Sequence, residues 1–359
     1  MSRDSGLLVN LSFLLDQPTG ISTYAANVAP HLSSLSTTFL SPFQLPGGGQ
    51  YYRTPRSLTP AFGTAGHLRR LFWTQFCLPH IYRELKSSLL FSLIPEAPLF
   101  TSCRSVVMIH DLIPLRFTRR SPLLPYFHYY IPQVTNCAEH LICNSEATAR
   151  DVVEWFGISA RKVTVIWLGV DLERFHPMAS QTENYFLYVG RHDPHKNLAR
   201  AIRAFAQISG QNNHEFWLAG PTDRRYTPQL KMLANELGVG KQVRFLDYVS
   251  DAELPRIIAC ALAVVFPSLW EGFGLPVLEA MACGTPTIAS NLSSIPEVAG
   301  DAALLVDPYD VFGLAGAMQD IVNDPNLRLQ LREAGLSRVK QFSWMRTGQR
   351  TAEVLRSLL

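Results

Sequence analysis

No stretch of the 359-residue chain reaches the eighteen or so apolar residues that a bilayer-crossing helix needs, so no membrane span is expected. Met1 to Asp4 is polar and runs straight into a short strand pattern, which is not the layout of a signal peptide. The six cysteines (Cys77, Cys103, Cys137, Cys143, Cys260, Cys283) form no C-x-x-C pair and show no metal-ligand spacing. Cys260 and Cys283 lie inside apolar runs, as reduced buried thiols do, and the pattern fits a reducing cytosol. Charge is scarce as well. Charged residues make up 17% and the net charge is +3, too small to argue for a nucleic-acid partner. No internal repeat of fixed period occurs, and the dinucleotide fingerprint G-x-G-x-x-G is incomplete. Its nearest match, Gly272-Phe273-Gly274, has Val277 where the third glycine belongs, which weakens a dehydrogenase reading.

What is present is apolar sequence, 47% of the chain, in a length that favours two domains. In the second half, short apolar runs alternate with helical stretches. The runs are Tyr185–Val189, Glu215–Ala219, Val243–Phe245, Ala261–Phe266, Thr287–Ala289 and Ala303–Val306. The helical stretches are Leu198–Ser209, Thr227–Leu237, Asp251–Ala259, Leu275–Ala282 and Val311–Val322. Such alternation predicts an α/β fold with a doubly wound parallel sheet, whose ligands sit beyond the carboxyl ends of the strands. The first half is a looser series: strands at Leu7–Phe13, Ser105–Ile109, His140–Cys143 and Lys162–Trp167, and helices at Thr19–Leu35 and Glu146–Trp155. Residues 42–66, rich in Pro, Gly, Thr and Ser, are expected to form a surface loop. Two Rossmann-like domains with parallel sheets facing across a cleft are the predicted architecture. Residues 1–170 form the first and 171–340 the second, with a helix over 341–359 returning to the first.

The chemistry is densest in Trp270-Glu271-Gly272-Phe273-Gly274-Leu275-Pro276-Val277-Leu278-Glu279. Pro276 suits the first residue of a helix. Gly272 and Gly274 allow a tight turn that points the amides of Phe273, Gly274 and Leu275 at a phosphate or sugar oxygen. A glutamate one turn further in can accept from two vicinal hydroxyls. The bland alternative is two glutamates around an ordinary helix start.

A second cluster, Gly190-Arg191-His192-Asp193-Pro194-His195-Lys196, follows an apolar strand. An arginine grips phosphate bidentately and a lysine adds a movable charge, although loop cations are often merely solvated. In the first half, His110-Asp111 ends the strand at Ser105–Ile109, where a histidine suits a sugar hydroxyl and where the pair equally suits loop support. Gly20 joins the first strand to a helix. Ser145 is an N-cap, a role that explains it fully. His67–Lys86 interleaves Arg69, Arg70, Arg83 and Lys86 with Leu71, Phe72, Trp73, Phe76 and Tyr82, and Arg116, Arg119 and Arg120 precede the aromatic run Tyr126–Tyr130. Such surfaces suit an anionic membrane interface, and also suit a buried amphipathic helix with a basic outer face, interrupted at Pro79.

The glutamate segment, continued by Ala280-Met281-Ala282-Cys283-Gly284-Thr285-Pro286 and by Ile295-Pro296-Glu297-Val298, resembles the E-x7-E motif of family 4 glycosyltransferases. That resemblance implies a GT-B fold and a retaining hexosyltransferase, with mannosyl from a GDP-mannose-like donor leading and UDP-hexoses next. Carried over, Glu271 meets the donor sugar and Glu279 the ribose, while Arg191 and Lys196 bind the diphosphate beside Gly190. Gly20 approaches the donor phosphate, His110 the sugar hydroxymethyl, and Val249, in the Leu246–Asp251 loop, the base. Asp111 is then an acceptor-side candidate. Ile166-Trp167-Leu168-Gly169 departs from the Pro-Asn that relatives commonly carry before Gly-Val-Asp. No D-x-D occurs, so neither a metal nor another cofactor is expected, the nucleotide sugar being a substrate. The expected partners are that donor and a glycan or lipid-linked saccharide acceptor, with a peripheral membrane contact as a further possibility to test. A sugar-nucleotide epimerase of the same fold and a non-catalytic nucleotide-sugar-binding module are the alternatives.

Overall fold

Continuous apolar runs, rather than alternating ones, become the central strands of both sheets, because a parallel strand covered on both faces buries every side chain. The computed structural model describes residues 6–15, 20–44, 50–117, 124–178, 182–209 and 213–359. The chain divides into two units, Met1–Gly169 with Trp344–Leu359, and Val170–Ser343.

The first unit runs β1 (Leu7–Asn10), α1 (Gly20–Leu32), β2 (Thr38–Ser41), β3 (Gln50–Arg53), α2 (Gly63–Phe76), α3 (Leu78–Glu84), β4 (Leu89–Ser92) and β5 (Ser105–Ile109). It continues through α4 (Ile113–Arg116), α5 (Ile131–Cys137), β6 (His140–Cys143), α6 (Glu146–Phe156) and β7 (Val163–Val165). All seven strands are parallel, in the order β3-β2-β1-β4-β5-β6-β7. Leu8, Leu90, Val107 and Leu141 are wholly buried in its core.

The second unit runs β8 (Tyr185–Val189), α7 (Leu198–Ile208), β9 (Glu215–Ala219), α8 (Thr227–Glu236), β10 (Val243–Leu246), α9 (Leu254–Cys260) and β11 (Ala263–Phe266). It continues through α10 (Leu275–Ala282), β12 (Thr287–Ser290), α11 (Ile295–Ala299), β13 (Leu304–Val306), α12 (Val311–Asn323) and α13 (Pro325–Arg338). Its six parallel strands take the order β10-β9-β8-β11-β12-β13. In each sheet the winding reverses once, between β1 and β4 and between β8 and β11. A crevice opens at such a reversal, because the two connections leave in opposite directions.

A last helix, α14 (Trp344–Leu358), belongs to the first unit and packs along α1. Gly348 permits that approach, since a Cβ there would overlap the His31 ring. Thr347 Oγ1 donates to the Trp167 carbonyl at 2.7 Å, and the Arg104 guanidinium donates to the Leu358 carbonyl at 2.6 Å.

Residues 42–66 are not the surface loop that their composition suggests. Their described part holds β3, two short 3-10 turns and the start of α2. β3 is an edge strand of sequence Gln-Tyr-Tyr-Arg, with both ends exposed, so no apolar run announces it. β2 and β4, four residues each, also escape the periodicity argument. The basic-aromatic stretch is two helices broken at Cys77, with Pro79 as the second residue of α3. Arg70 is not on its outer face: it is buried in a bidentate pair with Glu96, at 2.8 and 2.7 Å. Arg116 pairs with Asp151, whereas Arg119 and Arg120 lie outside the described residues.

Candidate active site

The winding reversal of the second unit is where its chemistry collects. β8 ends at Val189 and β11 at Phe266, and the loops leaving these neighbouring strands are tied together by the Leu269 amide donating to the His195 carbonyl at 2.7 Å. Across that tie, Lys196 Nζ donates to both carboxylate oxygens of Glu271, at 2.7 and 2.9 Å. The Glu271 side chain is 9% exposed and that of Lys196 17%. Removing two charges from water is costly, and a buried carboxylate without its cation costs several kcal/mol, so the pair stands or falls together.

The backbone under Lys196 is set by Asn197, which adopts a φ of +63° and donates its Nδ2 to the carbonyls of Pro267 and Pro308. Asparagine tolerates the left-handed region better than other residues with a Cβ. Gly190 has a φ of +146°, and a Cβ there would lie 2.6 Å from the Tyr188 hydroxyl. That hydroxyl is itself engaged, donating to the Arg191 carbonyl at 2.8 Å. The Arg191 side chain is 69% exposed and pairs with Asp193 at 3.2 Å. Arg191 and Lys196 therefore take different carboxylate partners.

The glutamate loop is braced from the β12–α11 connection. Ser293 Oγ accepts from the Glu271 amide at 2.9 Å. Ser294 Oγ shares its proton between the carbonyls of Glu271 and Phe273, at 3.1 and 2.8 Å. Gly274 turns the chain into α10 at a φ of +107°, where a Cβ would meet Ile295 Cδ1 at 2.6 Å. The helix begins at Leu275, so Pro276 is its second residue rather than its first. Among the described residues, no group accepts from the amides of Phe273, Gly274 or Leu275. Three amide donors and a helix N-terminus beside a lysine make an anion cradle.

Glu279 is half-buried on α10. Burial pushes its carboxyl up to about 7, with Arg174 pulling the other way and Asp251 adding to the rise. Arg174 and Asp251 are paired at 3.0 Å. Val249 is half-buried in the strand-to-helix loop after β10, next to the exposed Asp247 and Tyr248.

In the first unit His110 follows β5 directly. Its Nε2 donates to the Leu93 carbonyl at 3.0 Å, and the edge of its ring meets Tyr24 of α1 with centroids 5.3 Å apart. Burial lowers its pKa to about 4, so the ring is neutral at pH 7 and Nδ1 is the acceptor nitrogen. Asp111 Oδ1 accepts from the Ile113 amide at 3.0 Å, which starts α4. Gly20 heads α1, and a Cβ there would meet nothing within 4 Å, so packing does not require the glycine. Pro18 and Thr19 before it lie outside the described residues. Ser145 is the N-cap of α6, accepting from the Thr148 amide at 3.0 Å.

Sequence reasoning missed Ser293, Ser294, Arg174, Asp251 and the Tyr188 hydroxyl. The first two stand just before the Ile295-Pro296-Glu297-Val298 segment, and the positive φ of Ser293, +56°, marks a turn with a purpose. The others contribute hydrogen bonds and charge from distant positions and leave no local pattern.

An anion cradle at the carboxyl end of a doubly wound parallel sheet narrows the class of protein, and comparison with known proteins names it. Residues 170–338 match the family described as "Glycosyl transferases group 1", and residues 18–174 match "Glycosyltransferase Family 4". The chain belongs to the family 4 glycosyltransferases. It is 32% identical over 226 residues to O-antigen chain mannosyltransferase B of Escherichia coli, covering 63% of this chain and 55% of that one. It is 31% identical over 249 residues to the MMP alpha-(1->4)-mannosyltransferase of Mycolicibacterium hassiacum, covering 66% and 59%. The matched region thus spans little more than half the length of these curated relatives. In structure it resembles sucrose-phosphate synthase from Thermosynechococcus elongatus, with a TM-score of 0.79 at 21% identity over 98% of this chain and 99% of that one. The fold is GT-B: two Rossmann-like domains with parallel sheets.

Proposed function

We propose that the protein is a retaining glycosyltransferase that moves a hexosyl group, mannosyl first among the candidates, from a nucleoside diphosphate sugar to an acceptor hydroxyl. The observation that carries this reading is the Lys196–Glu271 pair beside the unsatisfied amides of Phe273, Gly274 and Leu275. It sets a cation, a carboxylate and three N–H donors at one strand-end crevice, the set that a sugar diphosphate requires. The two mannosyltransferase relatives support the choice of sugar.

As the bond between the anomeric carbon and the diphosphate breaks, negative charge grows on the leaving oxygens. Lys196, Arg191 and the three amides stabilise it by preorganised electrostatics, and Gly190 lets backbone come close. These cations supply the charge, and no metal is invoked. Glu271 accepts from sugar hydroxyls, Glu279 from the ribose, and main chain near Val249 reads the base. From the first unit, Gly20 meets the diphosphate, neutral His110 accepts a sugar hydroxyl proton at Nδ1, and Asp111 faces the acceptor. The departing diphosphate takes the proton of the incoming hydroxyl on the same face, which preserves the anomeric configuration. The acceptor is a glycan or a lipid-linked saccharide. A peripheral position at a membrane surface suits the exposed side chains of α2, and no helix among the described residues is long and apolar enough to cross a membrane.

The test combines a thermal-shift screen of GDP-, UDP-, ADP- and dTDP-sugars with kinetics on the selected donor and NMR of the product anomer. Arg191→Ala should lower kcat by about a hundredfold, as loss of one charge-stabilising donor does elsewhere. Glu279→Ala should mainly weaken donor binding. Unchanged kinetics in both variants, or an inverted anomer, would overturn the assignment.

A further inference from the structure

The first unit holds an apolar cavity of about 560 Å³ that the donor chemistry does not use. Leu14, Leu15, Phe43, Ala61 and Phe62 are among its walls, and Arg56 stands in its lining. Leu14 and Leu15 follow β1, Phe43 follows β2 and Arg56 follows β3, so the cavity opens at the carboxyl end of the sheet. His110, after β5, lies at that same end. Arg56 is exposed, and among the described residues no carboxylate pairs with it. An exposed guanidinium at the edge of apolar walls offers one ligand both a charge-assisted contact and hydrocarbon contact.

The cavity does not end at its rim. Phe62, 52% exposed, is both a wall of the cavity and the first of a row of outward apolar side chains. Leu68, Phe72 and Phe76, each more than half exposed, follow at helical spacing on α2, and the Phe72 and Phe76 rings touch at 4.6 Å. The Arg69 guanidinium lies 6.0 Å from the Phe62 ring. Between Gln50 and Pro95 the sequence has one acidic residue, Glu84, against six lysines and arginines, of which Arg70 alone pairs with a buried carboxylate among the described residues. A contiguous apolar surface with unneutralised cations along it suits an amphiphile with an anionic head.

We infer that this cavity receives the hydrocarbon chain of a lipid phosphate acceptor, with Arg56 on the phosphate and the chain continuing along the Phe62–Phe76 face of α2. The inference rests on the glycosyltransferase reading and selects the lipid-linked class of acceptor within it. Walls of leucine, phenylalanine and alanine match a hydrocarbon chain better than a hydroxyl-rich glycan.

The full chain is titrated by calorimetry with butyl, hexyl and octyl phosphate below their micelle concentrations, without donor. Each methylene that enters the cavity should tighten binding about fourfold. Ala61→Trp, a change at an exposed position that narrows the cavity, should abolish the dependence on chain length. Arg56→Gln should weaken octyl phosphate about tenfold while leaving octanol unaffected. Octyl phosphate should also compete with acceptor and not with donor in the transfer assay. Affinity independent of chain length, affinity unchanged in both variants, or binding to anionic vesicles that survives Ala61→Trp while octyl phosphate fails to bind would overturn the proposal. The glycosyltransferase reading fails separately, through absence of donor binding or turnover.

Discussion

Glu279→Gln separates what the α10 carboxyl costs the fold from what it does for a donor. Burial holds this carboxyl at about 7 instead of its ordinary 4.5, which corresponds to on the order of 3 kcal/mol between its two protonation states. Between those values the folded protein keeps a proton that the unfolded chain has released. Stability from this group is therefore fully present below about pH 4.5 and is lost as pH rises through 7. Glutamine imitates the protonated acid in shape and cannot ionise. The variant should match wild type near pH 5 and exceed it at pH 8 by 2–3 kcal/mol, roughly the whole of that difference.

Urea unfolding of both proteins at pH 5 and pH 8 measures it. Comparing variant with wild type at each pH also removes the contributions of His67, His110 and His192, whose pKa values are lowered by burial and which titrate in the same window. Donor affinity should move in the opposite sense. Above pH 7 the wild-type carboxylate accepts from two hydroxyls, whereas the Gln carbonyl offers one oxygen. Wild-type affinity should rise between pH 6 and 8 and the variant's should stay level. An equal stability difference at both pH values would refute the reasoning, because the carboxyl would then be titrating as though exposed.

Two further perturbations address the β8–β11 crevice. Lys196→Met leaves Glu271 buried without its cation and should cost about 3 kcal/mol in urea unfolding, most of it recovered in the double variant Lys196→Met with Glu271→Gln. Additive losses would show that the two side chains do not depend on each other. Gly190→Ala drives a Cβ against the Tyr188 hydroxyl at 2.6 Å and strains a φ of +146°, for a loss of about 2 kcal/mol. Tyr188→Phe in the same chain should recover the steric part in thermal unfolding, and no recovery would mean that backbone strain alone sets the cost.

The second unit was legible because its strands are mostly apolar runs, and all six observed strands end within one residue of the ends those runs predict. Tyr185–Val189 and Glu215–Ala219 coincide with the observed strands, and Leu275–Ala282 with the observed helix. Once strand ends are known, the ligand end of a parallel sheet follows from topology, and Gly190, Lys196, Glu271 and Gly274 all stand there. What periodicity does not contain is partner choice. Lys196 and Arg191 read as a pair of cations for one diphosphate, yet one is held by Glu271 and the other by Asp193. Side-chain pairing across loops depends on three-dimensional proximity, to which a single sequence is blind.

The first unit resisted for a different reason. β3 sits at the sheet edge with a polar sequence that no apolar run marks, and β2 and β4 carry only the brief runs Phe39-Leu40 and Leu89–Phe91. The same shortage of pattern hid the cavity, whose walls come from three strand ends and a 3-10 turn separated by up to 48 positions, Leu14 to Phe62. Arg70 and Arg56 show how composition misleads there. Both belong to one basic stretch, but Glu96, 26 residues downstream of Arg70, neutralises the first and leaves the second facing hydrocarbon walls. A count of basic residues weighs the two alike, although Arg70 would have to break an ion pair to meet a phosphate and Arg56 has no carboxylate partner among the described residues.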